Sequence, residues 1–172
     1  MVSAAGCLFV SEQHVLAGYQ PHKKTPVISG FGGKRNPGEE PITTAWRETL
    51  EELLGWSEVP QHILITGMSL PPKQTMNSNG YMQAVYSFED LETVLNSIPR
   101  NIFSPLYNSI PRSVAELVFH RIHTVNTEVP TLCILPMRSQ KIANHFVKDI
   151  LEATGRTQCH ESFTEGPLFA EE

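Results

Sequence analysis

Gly32-Gly33-Lys34-Arg35-Asn36-Pro37-Gly38-Glu39-Glu40-Pro41-Ile42-Thr43-Thr44-Ala45-Trp46-Arg47-Glu48-Thr49-Leu50-Glu51-Glu52-Leu53-Leu54-Gly55 is a glycine-rich turn running into an amphipathic segment. Pro41 suits a first helical position, and Ile42, Ala45, Trp46, Leu50 and Leu53 recur at three- and four-residue steps, which makes one apolar stripe of a helix. At about 100° per residue, Arg47, Glu48, Glu51 and Glu52 fall in an arc opposite that stripe. Glu48 then meets both Glu51 and Glu52. Like charges one turn apart cost about 0.2–0.5 kcal/mol per pair in an isolated helix, so something else must favour the cluster. A divalent cation would do so. Mg²⁺ prefers hard oxygen ligands, and carboxylates commonly share it with substrate phosphates. Arg47, four residues before Glu51, is placed to brace one carboxylate through a charge-assisted bond.

Acidic runs on helices are often merely solvated. The preceding loop changes the balance: Gly30, Gly32, Gly33 and Gly38 lie within nine residues, where glycine permits close backbone approach and turns with φ > 0. A glycine turn joined at fixed spacing to an acidic helix is far more specific than either alone.

Gly33, Glu39, Arg47, Glu48, Glu51 and Glu52 stand at the spacing of the Nudix box, and the stretch resembles that motif. It departs at two positions. Thr49 stands where the motif has an aliphatic residue, and the closing glycine comes one residue late, Leu54 preceding Gly55. Thr49 still offers a methyl group for packing, and Gly55 can end the helix in a left-handed cap. The resemblance implies an α/β class protein, the α/β/α sandwich with a mixed sheet and the Nudix loop-helix. It also implies that Glu48, Glu51 and Glu52 bind metal with the Gly32 carbonyl, that Arg47 orients a glutamate, and that Glu39 stabilises the loop. Glu48 or Glu52 is the expected general base, unless an acid outside the box (Glu89, Asp90, Glu92 or Glu116) takes that role or ligates metal.

The chain has 172 residues and 40% hydrophobic content, enough for one domain with a real core, expected over residues 1–154 with a loosely ordered tail over 155–172. A formal net charge of -5 gives no global attraction to nucleic acid. Cys7, Cys133 and Cys159 are odd in number and unclustered, which suits free thiols in a reducing, cytoplasmic setting. The apolar run from Ala4 to Val10 is too short for a signal or a membrane span, so no membrane partner is expected.

Residues 3–10, 14–20 and 27–31 read as strands, the last entering the glycine loop. Lys23, Lys24, Lys34 and Arg35 are candidates for phosphate contact, with solvated surface charge as the alternative. Residues 62–69 and 81–88 read as two strands of a hairpin with a long tip over Pro71–Gly80. Residues 89–112 are irregular and contain an exact duplication, Asn96-Ser97-Ile98-Pro99-Arg100 and Asn108-Ser109-Ile110-Pro111-Arg112. It is either repeated turn chemistry or a source of arginines for the outer part of a substrate, with Phe103 and Tyr107 available to stack on a base. Helices are expected over 113–123 and 139–153, with a strand over 132–135 between them. His120 and His123 share a helical face, but two histidines without further ligands do not make a zinc site.

The resemblance implies a Mg²⁺-dependent pyrophosphohydrolase, with Mn²⁺ as a substitute metal, cleaving the diphosphate of a nucleoside triphosphate or nucleoside diphosphate derivative. Gly30-Phe31-Gly32-Gly33-Lys34 resembles the corresponding segment of enzymes that sanitise oxidised nucleotides. Ser29 stands where those enzymes carry an asparagine that reads the base. Alternatives are mRNA decapping, which requires a basic groove for capped RNA, and a catalytically inactive ligand-binding or regulatory module. A homodimer is compatible with all three.

Overall fold

The computed structural model describes residues 1–20, 27–122, 127 and 129–136. Its elements in chain order are β1 (Ala4–Val10), β2 (His14–Gln20), β3 (Val27–Ser29), β4 (Phe31–Lys34), α1 (Pro41–Leu54), α2 (Gln61–Ser69), β5 (Gln74–Ser78), β6 (Tyr81–Ser87), α3 (Phe88–Asn96), α4 (Val114–Phe119) and β7 (Thr131–Pro136). Seven strands form one mixed sheet, ordered β3-β2-β1-β6-β5, with β4 pairing β1 and β7 pairing β2. Among the described residues only β1 and β6 run parallel, from Ala4↔Tyr81 to Val10↔Ser87. The other edge of β1 is divided: Ala4 to Cys7 pair with β4, and Val10 pairs with Val15 of β2. This division brings the glycine strand β4 beneath α1, which packs on β1, β4 and β6.

Alternation along β1 sends Ala5, Cys7 and Phe9 to the α1 side, where Trp46, Leu50 and Leu53 of the predicted stripe are fully buried among them. Each buried leucine contributes about 1.5–3 kcal/mol. Leu8, Val15, Ala17 and Val85 point to the opposite face and are buried as well, so both faces of the sheet are covered. The helix expected over 139–153 and the tail over 155–172 lie outside the described residues, as do His123 and Cys159. Cys7 is fully buried core filler, and burial pushes its thiol up to about 12.

Residues 61–69 are a helix and not the expected strand. Ile63 is fully buried while Ile65 is 51% exposed, a contrast that strand alternation forbids and helical period allows. Packing overrides the β-branched composition here: Gly67 lets the Trp46 indole close on the α2 backbone, where an added Cβ would lie 2.6 Å from Trp46 Cδ2. The hairpin partner of β6 is therefore β5, within the supposed long tip. Asn79 and Gly80, at φ 52° and 80°, make the two-residue turn. Residues 88–96 are a helix that the irregular reading missed. Its signal was a capping box in which Ser87 and Asp90 exchange side chain-to-backbone bonds. The helix expected over 113–123 is shorter, ending at Phe119, with Ser113 as its N-cap. Among the described residues no helix is long and apolar enough to cross a membrane.

Candidate active site

Glu48, Glu51 and Glu52 line one cavity of about 350 Å³, together with Gly55, Trp56, Ser57, Pro105, Leu106, Thr127 and Val129. The helix places them there because its opposite face is fixed in the core. Arg47 is the hub of the cluster. Its Nε and Nη2 donate to the two oxygens of Glu39 at 2.8 and 3.0 Å, a two-point grip that matches guanidinium to carboxylate. Its Nη1 reaches Glu48 Oε1 at 2.9 Å and Glu51 Oε1 at 3.3 Å, and its Nη2 also donates to the Lys34 carbonyl at 3.0 Å. One cation thus ties the glycine loop to two carboxylates of the helix.

Glu39 stands outside the cavity and orients the arginine. The Arg47 guanidinium holds its carboxyl down at about 2, assisted by the Thr44 hydroxyl at 2.6 Å and the Asn36 amide. Glu52 accepts from the Gly32 amide at 2.8 Å, so the β4 backbone and the helix meet at that carboxylate. A Cβ at Gly33 would lie 2.4 Å from Glu48 Cδ, so a side chain there would push the Glu48 carboxylate aside. The close approach expected of the glycines is therefore real at this position. Burial, and then the charge of Glu48, push the Glu51 carboxyl up.

Three carboxylates, Glu39, Glu48 and Glu51, face one guanidinium, with Glu52 beside them on the Gly32 amide, and the donor set is hard oxygen, which suits Mg²⁺ or Mn²⁺. Among the described residues no three His, Cys, Asp or Glu side chains already form a cluster that could hold a metal ion. Glu48 and Glu51 lean on Arg47, and Glu52 leans on the Gly32 amide. To converge on one ion these carboxylates would have to turn from those partners.

Other candidates fall elsewhere. Arg35 is held by the backbone carbonyls of Glu39 and Val2, Lys34 is exposed, and Lys23 and Lys24 lie outside the described residues. None of the four acids considered outside the box lines the carboxylate cavity. Asp90 closes a capping box, Glu92 accepts from the Val114 amide at 2.9 Å, and Glu116 accepts from the Arg112 amide at 2.7 Å. The duplicated arginines, Arg100 and Arg112, both line another cavity of about 540 Å³, together with Phe103, Tyr107 and Glu116. Arg112 also holds the end of α3 through Leu95 O and Ile98 O, both at 2.7 Å. Tyr107 is buried, and Phe103 is 75% exposed.

One residue without a sequence signal is Arg121. Its guanidinium reaches the backbone carbonyls of Glu52 and Leu53 at 2.8 and 2.7 Å, Val129 O at 2.6 Å and the Tyr107 hydroxyl at 2.8 Å. A cation at a helix C-terminus is a recognisable device, but Arg121 lies far along the chain from the helix it serves.

No protein-family model matches the sequence. No curated protein matches it either. Among solved structures, the chain is similar to a NUDIX-family hydrolase from Clostridium perfringens at 15% identity, covering 91% of this chain and 99% of that one, with a TM-score of 0.43. A NUDIX hydrolase from Nitrosomonas europaea is 15% identical over 94% of this chain and 88% of its own, with a TM-score of 0.35. A mutT/nudix family protein from Listeria innocua is 16% identical over 92% and 93%, with a TM-score of 0.39. All three carry the Nudix name.

Proposed function

We propose that the chain is a Nudix hydrolase that cleaves the diphosphate linkage of a nucleoside triphosphate or nucleoside diphosphate derivative with Mg²⁺ or Mn²⁺. The observation that carries this reading is the joining, through Arg47 and Glu52, of the glycine strand to three carboxylates around one cavity. Glu48, Glu51 and Glu52 would hold the metal, with the Gly32 backbone beside Glu52. A bound divalent ion supplies neutralisation of diphosphate oxygens and a lowered pKa for coordinated water. Arg47 and Glu39 keep the carboxylates aimed, and a glutamate of the cluster accepts the proton of the attacking water. Water oxygen bonds to one phosphorus, the bridging P–O bond breaks, and a phosphorylated leaving group departs.

Among the described residues no Lys, Arg or His lines the carboxylate cavity, while Trp56, Pro105, Leu106 and Val129 give it an apolar side. That balance favours a small substrate with a planar or apolar half over capped RNA, whose polyanionic body calls for basic contacts. The Ser29 hydroxyl, at the position of the asparagine of the sanitising enzymes, donates to Gly30 O at 3.4 Å.

The test is monophosphate and phosphate release with Mg²⁺ across nucleoside triphosphates (oxidised ones included), dinucleoside and sugar diphosphates, and capped RNA, with Glu52→Gln as control. Turnover of one small diphosphate, lost by at least a hundredfold in Glu52→Gln, is the expected result. Preferential release of methylated guanosine diphosphate from capped RNA replaces it with decapping. Nucleotide binding without turnover of any substrate replaces it with a regulatory module.

A further inference from the structure

Glu52 is gripped from two sides: its carboxylate accepts from Gly32, and its backbone carbonyl accepts from Arg121 Nη2 at 2.8 Å. The same guanidinium takes Leu53 O at 2.7 Å, and its Nη2 and Nε both donate to Val129 O, at 2.6 and 3.2 Å. Val129 lines the cavity of Glu48, Glu51 and Glu52. The fourth partner, Tyr107, is itself fixed, since its hydroxyl donates to Leu117 O and its ring lies 5.6 Å from Arg121 Cζ. Leu106, next to Tyr107, lines the same cavity and packs against Gly55. Arg121 therefore joins the helix end bearing two of the carboxylates to two segments of the cavity wall that come from distant parts of the chain.

We propose that Arg121 is a positioning residue for the metal-binding carboxylates, setting where Glu52 stands relative to the wall formed by Leu106 and Val129. This rests on the metal-dependent reading of the cluster. The last α1 carbonyls have no partners within the helix, and a guanidinium satisfies several of them in a fixed plane, which a lysine cannot do. The Arg121 charge is held there by the carbonyl dipoles of Glu52, Leu53 and Val129 and by the Tyr107 hydroxyl. A rigid group of that kind transmits displacement of the wall to Glu52. Groups that orient metal ligands from behind typically change affinity by about 10–100-fold when removed.

The experiment is Mn²⁺ binding to the full chain, read by electron paramagnetic resonance titration, beside urea denaturation of each variant. Arg112→Gln is a matched control, because Arg112 likewise holds two carbonyls of a helix end, Leu95 O and Ile98 O, without touching α1. Arg121→Gln is expected to weaken Mn²⁺ binding about tenfold or more, and Arg112→Gln to lose stability with Mn²⁺ affinity unchanged. Arg121→Lys should recover little, because the fork is missing. If Arg121→Gln does not fold, Tyr107→Phe serves in its place, with a smaller loss of affinity expected. A folded variant of Arg121 or Tyr107 that binds Mn²⁺ within twofold of the parent overturns the proposal. Parent protein that binds no Mn²⁺, or binds it equally after Glu52→Gln, overturns the metal-site reading instead.

Discussion

Glu39 is the residue on which the orientation of Arg47 depends, and its ionisation is coupled to folding. Its pKa lies near 2 in the folded protein against an ordinary value of 4.5, chiefly because the guanidinium favours its charged form. A depressed carboxylate contributes stability that is present above about pH 4.5 and is lost as pH falls towards 2. Glu39→Gln should therefore lower stability at pH 7, and the variant should lose less than the parent between pH 4.5 and 2. Urea midpoints at four or five pH values check this. Parallel curves for the two proteins would mean that Glu39 is not the group responsible. Thr49 shows a different local economy. It takes the aliphatic position as expected, fully buried, with its hydroxyl against the Cys7 thiol.

At the scale of elements, α1 was legible because three local signals agree: a proline start, one apolar period and a glycine stop. Gly55 adopts φ 70° and its amide donates to Glu51 O, the left-handed cap expected from the late glycine. Gly55→Ala should cost about 1–3 kcal/mol in urea denaturation, since the backbone disfavours a side chain and the new Cβ would lie 2.7 Å from Leu106 Cγ. An unchanged midpoint would show that the cap relaxes freely. The segment 61–69 was illegible because Ile63, Ile65 and Thr66 favour strands locally, while tertiary contacts, among them that of Gly67 with Trp46, favour the helix. The acids outside the box could not be separated by sequence, as their roles in caps and turns depend on neighbours up to 22 residues away. Arg121 was invisible for the same reason, its partners at Glu52 and Leu53 being 69 and 68 residues earlier.

For the molecule as a whole, helix and sheet are joined by an aromatic cluster in which Trp46 lies 4.9 Å from the Tyr86 ring centroid and 5.7 Å from that of Phe9. Trp46 Nε1 donates to the Tyr86 hydroxyl at 3.0 Å in the buried core. Tyr86→Phe leaves that donor unpaired and should cost about 1–3 kcal/mol, measured by thermal or urea unfolding. A loss below about 0.5 kcal/mol would mean that the indole finds another acceptor or water. The parallel pairing of β1 with β6 has a consequence for synthesis. The Ser3 amide donates to Gly80 O at 2.8 Å across 77 residues of chain, and β1 follows directly. A ribosome adding about 5–20 residues per second would release β1 roughly 4 to 15 s before its parallel neighbour emerges. Through that interval β1, with Leu8, Phe9 and Val10, lacks its parallel neighbour, so an apolar strand edge stays open to pairing with other chains.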